Sequence, residues 1–372
     1  MKFTRTLLTG ILFATTTYAY ATGNVTIIKA EDASSVLPAG KKLGTKAEGC
    51  SVNAAGLIHA TDGSNIINLH DGTIALKGPG SADVNATSWL ASSRFLKNGD
   101  LIAGDAVGHK VFLVQKGQDP NSPQVLLQSN KFLQPNDMAL TACGRYLYFS
   151  GMNYTSDSIA GESGELAWID LWKEPLNRTL NKVSKKVLAD GQVYRSNGIE
   201  VIEKGGQEFV YLTSAQNVNN SVVSTRIIKF TIDKSTGEPK SPTIALDIGK
   251  YLEEHGVLSQ ADLTKAGMDP DGMRADVAGN LYMTLNALKA VLRWNPETEA
   301  GVLAELKTVY FPTNLELGGK NGNEVYVVGK CDGNKESCVD VIKFEGQNVG
   351  RAFSILNGLV KRFSYRRREW RA

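Results

Sequence analysis

Residues 270–284 read PDGMRADVAGNLYMT, in which the turn Ala278-Gly279-Asn280 precedes a strand-like run from Leu281 to Thr284. Similar glycine-containing turns, each followed by an aromatic or aliphatic run, occur at Gly56, Gly99, Gly144, Gly205, Gly279 and Gly322. Strand pairs that recur about every 40 residues are typical of a propeller, whose radially packed sheets bury their faces and protect their edges. We therefore predict an all-β fold, a six-bladed β-propeller with short helical and loop insertions.

The composition is that of an ordinary globular protein. The chain has 372 residues, of which 42% are hydrophobic and 21% charged, with a formal net charge of +3. These values exclude a disordered, collagenous or coiled-coil protein. Residues 360–372 carry six Lys and Arg against one Glu, and Lys2 and Arg5 precede the globular part, so the remaining body has a net charge of −4. We therefore expect no nucleic-acid partner.

The first residues have the pattern of an export signal. Lys2 and Arg5 precede an apolar, Thr-rich stretch, and Ala19-Tyr20-Ala21 fits a cleavage site. We predict a signal peptide over 1–21, the propeller over 22–358, a basic C-terminal tail over 359–372 and a secreted, extracellular product. No later stretch has the roughly 18 apolar residues needed to cross a bilayer, so we expect no transmembrane segment. The like-charged tail is interpreted as a solvated end rather than a contact for an anionic membrane or glycan.

Sequons and cysteines fit this compartment. Four cysteines are compatible with an oxidising environment, and Cys331 and Cys338 enclose a polar hexapeptide between two strand-like runs, which predicts a disulfide across a hairpin loop. Cys50 and Cys143 lie at different heights of the repeat, so we expect both to be buried thiols. Glycosylation in a eukaryotic secretory route is predicted at Asn24, Asn85, Asn153, Asn177 and Asn219.

Two spacings between repeats are longer than the others. Residues Asn153 to Glu165 are rich in Gly, Ser and Asp and are predicted to form a surface loop. In the second, Ile248 to Gly267, Ser259 followed by Asp262 resembles an N-cap with an acidic first turn, which predicts a short helix. Such insertions either cover one mouth of the channel or have no role in binding.

Polar residues recur eight positions before the turn glycines. These are Glu48, Asn136, Asn197, Asp271 and Asn314, whereas the second unit has Ala91. Equal offsets in equivalent units predict five oxygen-bearing side chains that converge at one level of the propeller axis. A mixture of carboxylate and amide oxygens suits calcium, magnesium or manganese. The alternative is that Asn197-Gly198 and Asp271-Gly272 only form turns.

Several segments also resemble a known family. Ala47-Glu48-Gly49, Pro135-Asn136-Asp137, Ser196-Asn197-Gly198-Ile199 and Pro270-Asp271-Gly272-Met273 are similar, in order and spacing, to the six-bladed propellers of the senescence-marker-protein, gluconolactonase and luciferin-regenerating-enzyme family. The similarity extends over most of residues 40–345, and Pro312-Thr313-Asn314 looks like the family's next blade.

The resemblance implies a divalent cation, Ca²⁺ first with Mg²⁺, Mn²⁺ or Zn²⁺ as alternatives, bound by Glu48, Asn136, Asn197 and Asp271. It also implies hydrolysis of a lactone, in which Asp271 is the catalytic residue and acts as general base on the attacking water. Gln134 stands where many sugar-lactone members have an Arg that binds substrate hydroxyls, which argues against a sugar-acid lactone. We assign Gln134 and Asn314 to the substrate-binding lining.

The sequence thus predicts a secreted, divalent-metal-dependent hydrolase of a lactone or related cyclic ester, a monomer that acts on a small molecule. The alternative is a non-hydrolytic propeller, either a small-molecule binding protein or an enzyme of the strictosidine-synthase type. An interaction scaffold gives no reason for the polar residues at one level. The histidines have no spacing typical of a metal site, which argues against a His-assisted lactonase like the paraoxonases: His59, His70, His109 and His255.

Overall fold

The computed structural model describes residues 25–39, 43–45, 47–78, 88–152, 164–173, 178–218, 221–333, 336–346 and 348–359. Within these ranges the strands form six sheets, and the innermost strand of each sheet packs on the innermost strand of the next, closing a ring. The predicted six-bladed propeller is confirmed. The predicted signal peptide, the tail beyond Leu359, the five sequons and residues 153–163 of the predicted loop lie outside the described residues.

Two short strands precede the first blade, β1 (Thr26–Lys29) and β2 (Glu31–Asp32). The first blade comprises β3 (Glu48–Val52), β4 (Ile58–Thr61), β5 (Asn65–Asn68) and β6 (Ile74–Lys77). The second comprises β7 (Leu90–Phe95), β8 (Leu101–Asp105), β9 (Lys110–Val114) and β10 (Gln124–Gln128). The third comprises β11 (Gln134–Leu140), β12 (Tyr146–Met152), β13 (Glu165–Asp170) and β14 (Asn181–Lys182).

The second half of the ring has the same order of strands. The fourth blade comprises β15 (Arg195–Lys204), β16 (Gln207–Val218), β17 (Ser221–Ile232) and β18 (Pro239–Asp247). The fifth comprises β19 (Pro270–Ala275), β20 (Leu281–Leu285), β21 (Ala290–Trp294) and β22 (Gly301–Glu305). The sixth comprises β23 (Val309–Gly318), β24 (Glu324–Cys331) and β25 (Ser337–Ile342).

The N-terminal strands complete the last two blades. β1 pairs in parallel with β22 at the outer edge of the fifth blade, and β2 pairs antiparallel with β25 as the fourth strand of the sixth blade. Residues from the beginning of the described chain therefore close the ring next to strands from its end, which protects two sheet edges.

The turn glycines identified in the sequence connect the first and second strands of each blade. Gly56, Gly99, Gly144, Gly279 and Gly322 all have positive φ, between 68° and 93°. In the fourth blade, two consecutive glycines, 205 and 206, share this conformation. Because residues with a Cβ rarely adopt it, the repeated glycine is required by the backbone of the hairpin.

In the part of the chain that the structure describes, four short α-helices are attached to the propeller: α1 (Lys185–Asp190), α2 (Ile248–Glu254), α3 (Gln260–Ala266) and α4 (Arg351–Leu356). The Ser259 side chain accepts a hydrogen bond from the Asp262 amide and caps α3, which confirms the predicted helix. Leu252 and Leu263 pack in one hydrophobic cluster with Tyr211 and Met273, so the insertion is anchored to the fourth and fifth blades.

The cysteine predictions are confirmed in part. Cys331 and Cys338 form the predicted disulfide, with Cα atoms 5.1 Å apart, between β24 and β25. Cys50 is a buried thiol on the inner strand β3, as predicted. The prediction for Cys143 is wrong, because this residue is exposed. It lies in the turn between β11 and β12 rather than in a strand, so no neighbouring sheet covers it.

Candidate metal and substrate site at one end of the channel

The structure places the five predicted residues on the inner strands of five blades. Glu48 begins β3, and Asn136, Asn197, Asp271 and Asn314 lie in β11, β15, β19 and β23. All five are buried, with at most 9% of each residue exposed. The sequence offset therefore identifies residues that surround the axis.

Irregularities in the strand pairing set the direction of these side chains. In β11 the pairing shifts between Pro135 and Met138, and equivalent shifts in β15 and β19 enclose Asn197-Gly198 and Asp271-Gly272. Two residues thus face one residue of the partner strand, as in a β-bulge, which re-aims a side chain. The alternative that these Asn-Gly and Asp-Gly pairs only form turns is wrong, because they lie inside strands.

Glycines next to the site allow neighbouring inner strands to approach closely. A Cβ on Gly198 would lie 2.1 Å from the Asp271 carbonyl oxygen, and a Cβ on Gly272 would lie 2.6 Å from Asn314 Cγ. Neither distance can be accommodated without displacement of the neighbouring blade. These glycines therefore allow the polar residues of the fourth, fifth and sixth blades to lie side by side.

Four oxygen atoms at this level are buried and accept no hydrogen bond from any residue that the structure describes: Glu48 Oε2, Asn136 Oδ1, Asn197 Oδ1 and Asp271 Oδ1. Buried polar atoms are normally paired, since an unpaired one costs about 1–3 kcal/mol. When both carboxyl groups are ionised, each of the four atoms can only accept. Hard oxygen atoms of this kind are the ligands preferred by Ca²⁺, Mg²⁺ and Mn²⁺, so this donor set fits a divalent cation.

The charges of the site also favour a cation. Burial, and next the Asp137 carboxylate, raise the pKa of Glu48 to about 8. Burial, then Glu48 and Asp269, raise the pKa of Asp271 well above its ordinary value. Arg195 acts in the opposite direction on both carboxyl groups. A divalent cation would relieve this repulsion and favour the charged forms.

Asn314 differs from the other four residues. Its Oδ1 accepts hydrogen bonds from Arg274 Nη2 and from the Leu315 amide, each at 2.9 Å. Its Nδ2 is buried and has no hydrogen-bond partner among the described residues. The expectation that all five side chains lie at one level is therefore wrong for Asn314. The pairing of Pro135 with Gly151 and of Pro312 with Gly329 places Asn314 level with Asp137, one residue beyond Asn136.

The polar residues Glu48, Asn136, Asn197, Asp271 and Asn314 are called the polar ring below. A layer of buried charges next to the polar ring was not anticipated from the sequence. Arg274 is fully buried and donates to Asp137 at 2.7 Å, to Glu316 at 3.2 Å and to the Cys50 carbonyl at 2.9 Å. Arg94 also donates to the Cys50 carbonyl. A signal was present, because a charged residue follows the ring position by three in the second, fourth and fifth blades: Arg94, Glu200 and Arg274.

The segment around α4 covers the opposite end of the channel. Arg351 pairs with Glu200 at 3.3 Å and donates to the Leu140 carbonyl, while the Asn357 side chain donates to the Ala54 carbonyl. A cleft of about 530 Å³ lies beside α4, lined among others by Phe209, Tyr211, Val277 and Ile355. None of the five residues of the polar ring lines this cleft, so the two features are separate.

Two further residues flank the polar ring. The predicted substrate residue Gln134 begins β11, is buried and pairs with Met152 of β12. In the next blade the equivalent place, two residues before Asn197, holds Arg195, whose side chain is 28% exposed and pairs with Asp269 at 2.9 Å. Arginine is thus present at this end of the channel, although not at the position of Gln134, where the family resemblance implies one in many sugar-lactone members. The sequence contains the signal for Arg195, because it precedes Asn197 by two residues as Gln134 precedes Asn136.

The fold and the polar ring together define a six-bladed propeller with a buried, oxygen-lined site at one end of its channel. The sequence profile of the SMP-30/gluconolactonase/LRE-like region matches residues 64–329, and the chain therefore belongs to this family. The match includes Asn136, Asn197, Asp271 and Asn314, whereas Glu48 precedes it.

Solved structures are similar in fold. A luciferin-regenerating enzyme superposes with a TM-score of 0.61 at 13% identity, covering 86% of this chain and 96% of that chain. The calcium-binding protein regucalcin from Agrobacterium tumefaciens gives 0.58 at 13% identity, with 85% and 95% covered. A gluconolactonase from Xanthomonas campestris gives 0.56 at 12% identity, with 87% and 96% covered.

No curated protein sequence matches this chain. Among the described residues, no helix is long and apolar enough to cross a membrane.

Proposed function

We propose that this protein is a divalent-cation-dependent hydrolase of a lactone or related cyclic ester. The observation that carries the proposal is the set of four buried acceptor oxygens, contributed by Glu48, Asn136, Asn197 and Asp271 of four different blades. Family membership and the fold of the gluconolactonase neighbour support lactones as the substrate class. Ca²⁺ is the first candidate, since carboxylate and amide oxygens suit it and a regucalcin described as calcium-binding shares the fold.

Glu48, Asn136, Asn197 and Asp271 would hold the cation. When bound, it would polarise the ester carbonyl and stabilise negative charge on the carbonyl oxygen. The chain's own residues would perform the remaining steps.

Asp271 is the candidate general base. Its carboxyl group is buried beside Glu48 and Asp269, and this burial and the two neighbouring carboxyl groups raise its pKa in the cation-free site. A carboxylate held in this position can accept a proton from an attacking water. The water oxygen bonds to the carbonyl carbon as Asp271 accepts the water proton. The C–O bond of the lactone ring then breaks, and the departing oxygen takes the proton from Asp271, which yields a hydroxy acid and restores the carboxylate. The burial of the polar ring limits access of bulk water to this base.

The protein would work outside the cytosol. The basic and apolar N-terminal residues and the Cys331–Cys338 disulfide support this location, because such bonds persist in oxidising compartments. Expression of the full chain with a C-terminal epitope, followed by mass spectrometry of the protein in the medium, tests it. A mature N-terminus near Thr22 is expected, and retention of the uncleaved chain in cells would overturn it.

The activity is tested with a panel of aliphatic and sugar lactones. Hydrolysis should stop on chelation, return with added Ca²⁺ or Mn²⁺, and be lost in Asp271→Asn. The proposed ligands are tested by comparing the metal content of the native protein with that of Glu48→Gln. Equal metal content in the two proteins would refute the proposed ligand set. If the purified protein retains a small molecule but binds no cation, the alternative of a non-hydrolytic propeller is correct.

A further inference from the structure

Two hydrogen bonds fix the orientation of the Asn314 side-chain amide. The guanidinium of Arg274 can only donate, and so can the Leu315 amide, and both point at Asn314 Oδ1 from 2.9 Å. The reverse orientation would bring the Asn314 amino group against both donors. The side-chain nitrogen must therefore face away from Arg274.

The nitrogen faces the fifth blade beside the candidate base. Asn314 is fully buried, and its Nδ2 would lie 2.9 Å from a Cβ on Gly272, the residue that follows Asp271. No described residue accepts from it. The polar ring thus has four unpaired acceptors, which suit a cation, and beside them one unpaired donor, which suits an oxygen atom with negative charge.

We infer that Asn314 donates a hydrogen bond to the oxygen that becomes negatively charged when the ester carbonyl is attacked, and that Arg274 is the positioning residue that turns the amide for this purpose. The inference rests on the proposed function. As water attacks, a C–O bond forms, the water proton passes to Asp271, and the carbonyl π electrons move onto the carbonyl oxygen. An N–H group fixed in advance near that oxygen stabilises this state at no cost in reorganisation.

This role separates Asn314 from Asn136, the asparagine that has the same sequence offset from the turn glycine of another blade. Asn136 presents an unpaired oxygen and Asn314 an unpaired nitrogen, so the two residues form a matched pair. We expect Asn136→Ala to weaken Ca²⁺ binding more than tenfold, an effect of the size seen when metal-site groups are removed. Asn314→Ala should leave the Ca²⁺ affinity within about threefold of wild type and lower kcat about 100- to 1000-fold, with little change in KM.

Asn314→Asp provides a second variant in case Asn314→Ala does not fold. It keeps an oxygen toward Arg274 and Leu315 but loses the donor, so kcat should fall without any loss of Ca²⁺ affinity. Isothermal titration calorimetry gives the affinity, and lactone hydrolysis gives kcat and KM. If Asn314→Ala weakens Ca²⁺ binding as much as Asn136→Ala, or leaves kcat unchanged, the inference is wrong.

A measurement without turnover separates this inference from the proposed function. A cyclic phosphonate, whose anionic oxygens resemble the attacked ester, should bind the Ca²⁺-loaded wild type at least tenfold more tightly than Asn314→Ala. Equal binding to both, or none to wild type, would refute the donor role. If wild type binds the phosphonate at least tenfold more tightly than Asn314→Ala but hydrolyses no lactone, the proposed function fails while donation from Asn314 to an anionic oxygen stands.

The role of Arg274 is tested with a double-mutant cycle on phosphonate binding. Arg274→Lys keeps a positive charge beside Asp137 but loses the fork that reaches Asn314. Because Arg274 acts through Asn314, the loss in the double variant Arg274→Lys/Asn314→Ala should be no larger than in Asn314→Ala alone. Additive losses would show that Arg274 does not act through this amide.

Discussion

Calcium binding at the polar ring should depend strongly on pH. The pKa of Glu48 is raised to about 8 in the cation-free site, so a cation that binds below this pH must displace a proton from Glu48. From Glu48 alone, the affinity should fall about 50-fold between pH 8 and pH 6, and about 0.9 proton should be released per Ca²⁺ at pH 7. Asp271, whose pKa is also raised, should make the dependence steeper.

Isothermal titration calorimetry at pH 6, 7 and 8 measures the affinity, and buffers with different ionisation enthalpies measure the proton release. In Glu48→Gln the Ca²⁺ affinity at pH 8 should fall. The number of protons released per Ca²⁺ bound at pH 7 should be lower by about 0.9. Calcium binding with equal affinity at pH 6 and pH 8, and with no proton released, would refute the reasoning about this site.

The same shift has a consequence for stability. The unfolded chain loses the Glu48 proton near pH 4.5, whereas the folded, cation-free protein retains it until about pH 8. Protonated Glu48 therefore stabilises the fold at low pH, and this contribution is lost as the pH rises through about 8. In chelator, the melting temperature should fall between pH 5 and pH 9, and added Ca²⁺ should remove the fall.

Three further changes test the packing around the site. Gly272→Ala puts a Cβ against the Asn314 amide, so we expect a loss of about 1–3 kcal/mol in thermal unfolding together with reduced kcat, and wild-type values would contradict the close approach. Asp137→Ala removes a carboxylate from the buried Arg274 and should cost about 3–5 kcal/mol in urea unfolding, whereas a loss below about 1 kcal/mol would exclude a structural role for the pair. The double variant Cys331→Ser/Cys338→Ser opens a short loop and should lower the free energy of unfolding by about 2.5 kcal/mol. The reduced wild type should show the same loss.

The blades and the polar ring could be predicted because a propeller repeats one supersecondary unit. Every unit needs a residue with positive φ at the same hairpin, so glycines such as Gly144 and Gly279 mark the repeat. The polar residues of the site could be predicted because each lies eight positions before the turn glycine of its blade. Local constraints of this kind are visible in a single sequence.

The contacts between distant blades could not be predicted in the same way. Arg274 and Asp137 are 137 positions apart and meet only because the ring closes, so neither residue indicates the other in the sequence. The direction of the Asn314 amide depends in turn on Arg274. The exposure of Cys143 depends on whether a neighbouring blade covers a turn, which is also a property of the assembled ring.

The coverage of one end of the channel by Arg351 and α4 has a consequence for the order of events during turnover. Fully buried side chains such as Arg274 also fill the axis next to the polar residues, so among the described residues the substrate and the product of the proposed reaction would pass through the other end. In the proposed hydrolysis, each hydroxy acid would have to diffuse out before another ester could diffuse in. Under the proposed function, accumulated product would compete directly with fresh substrate, and hydrolysis would slow as the product concentration rises.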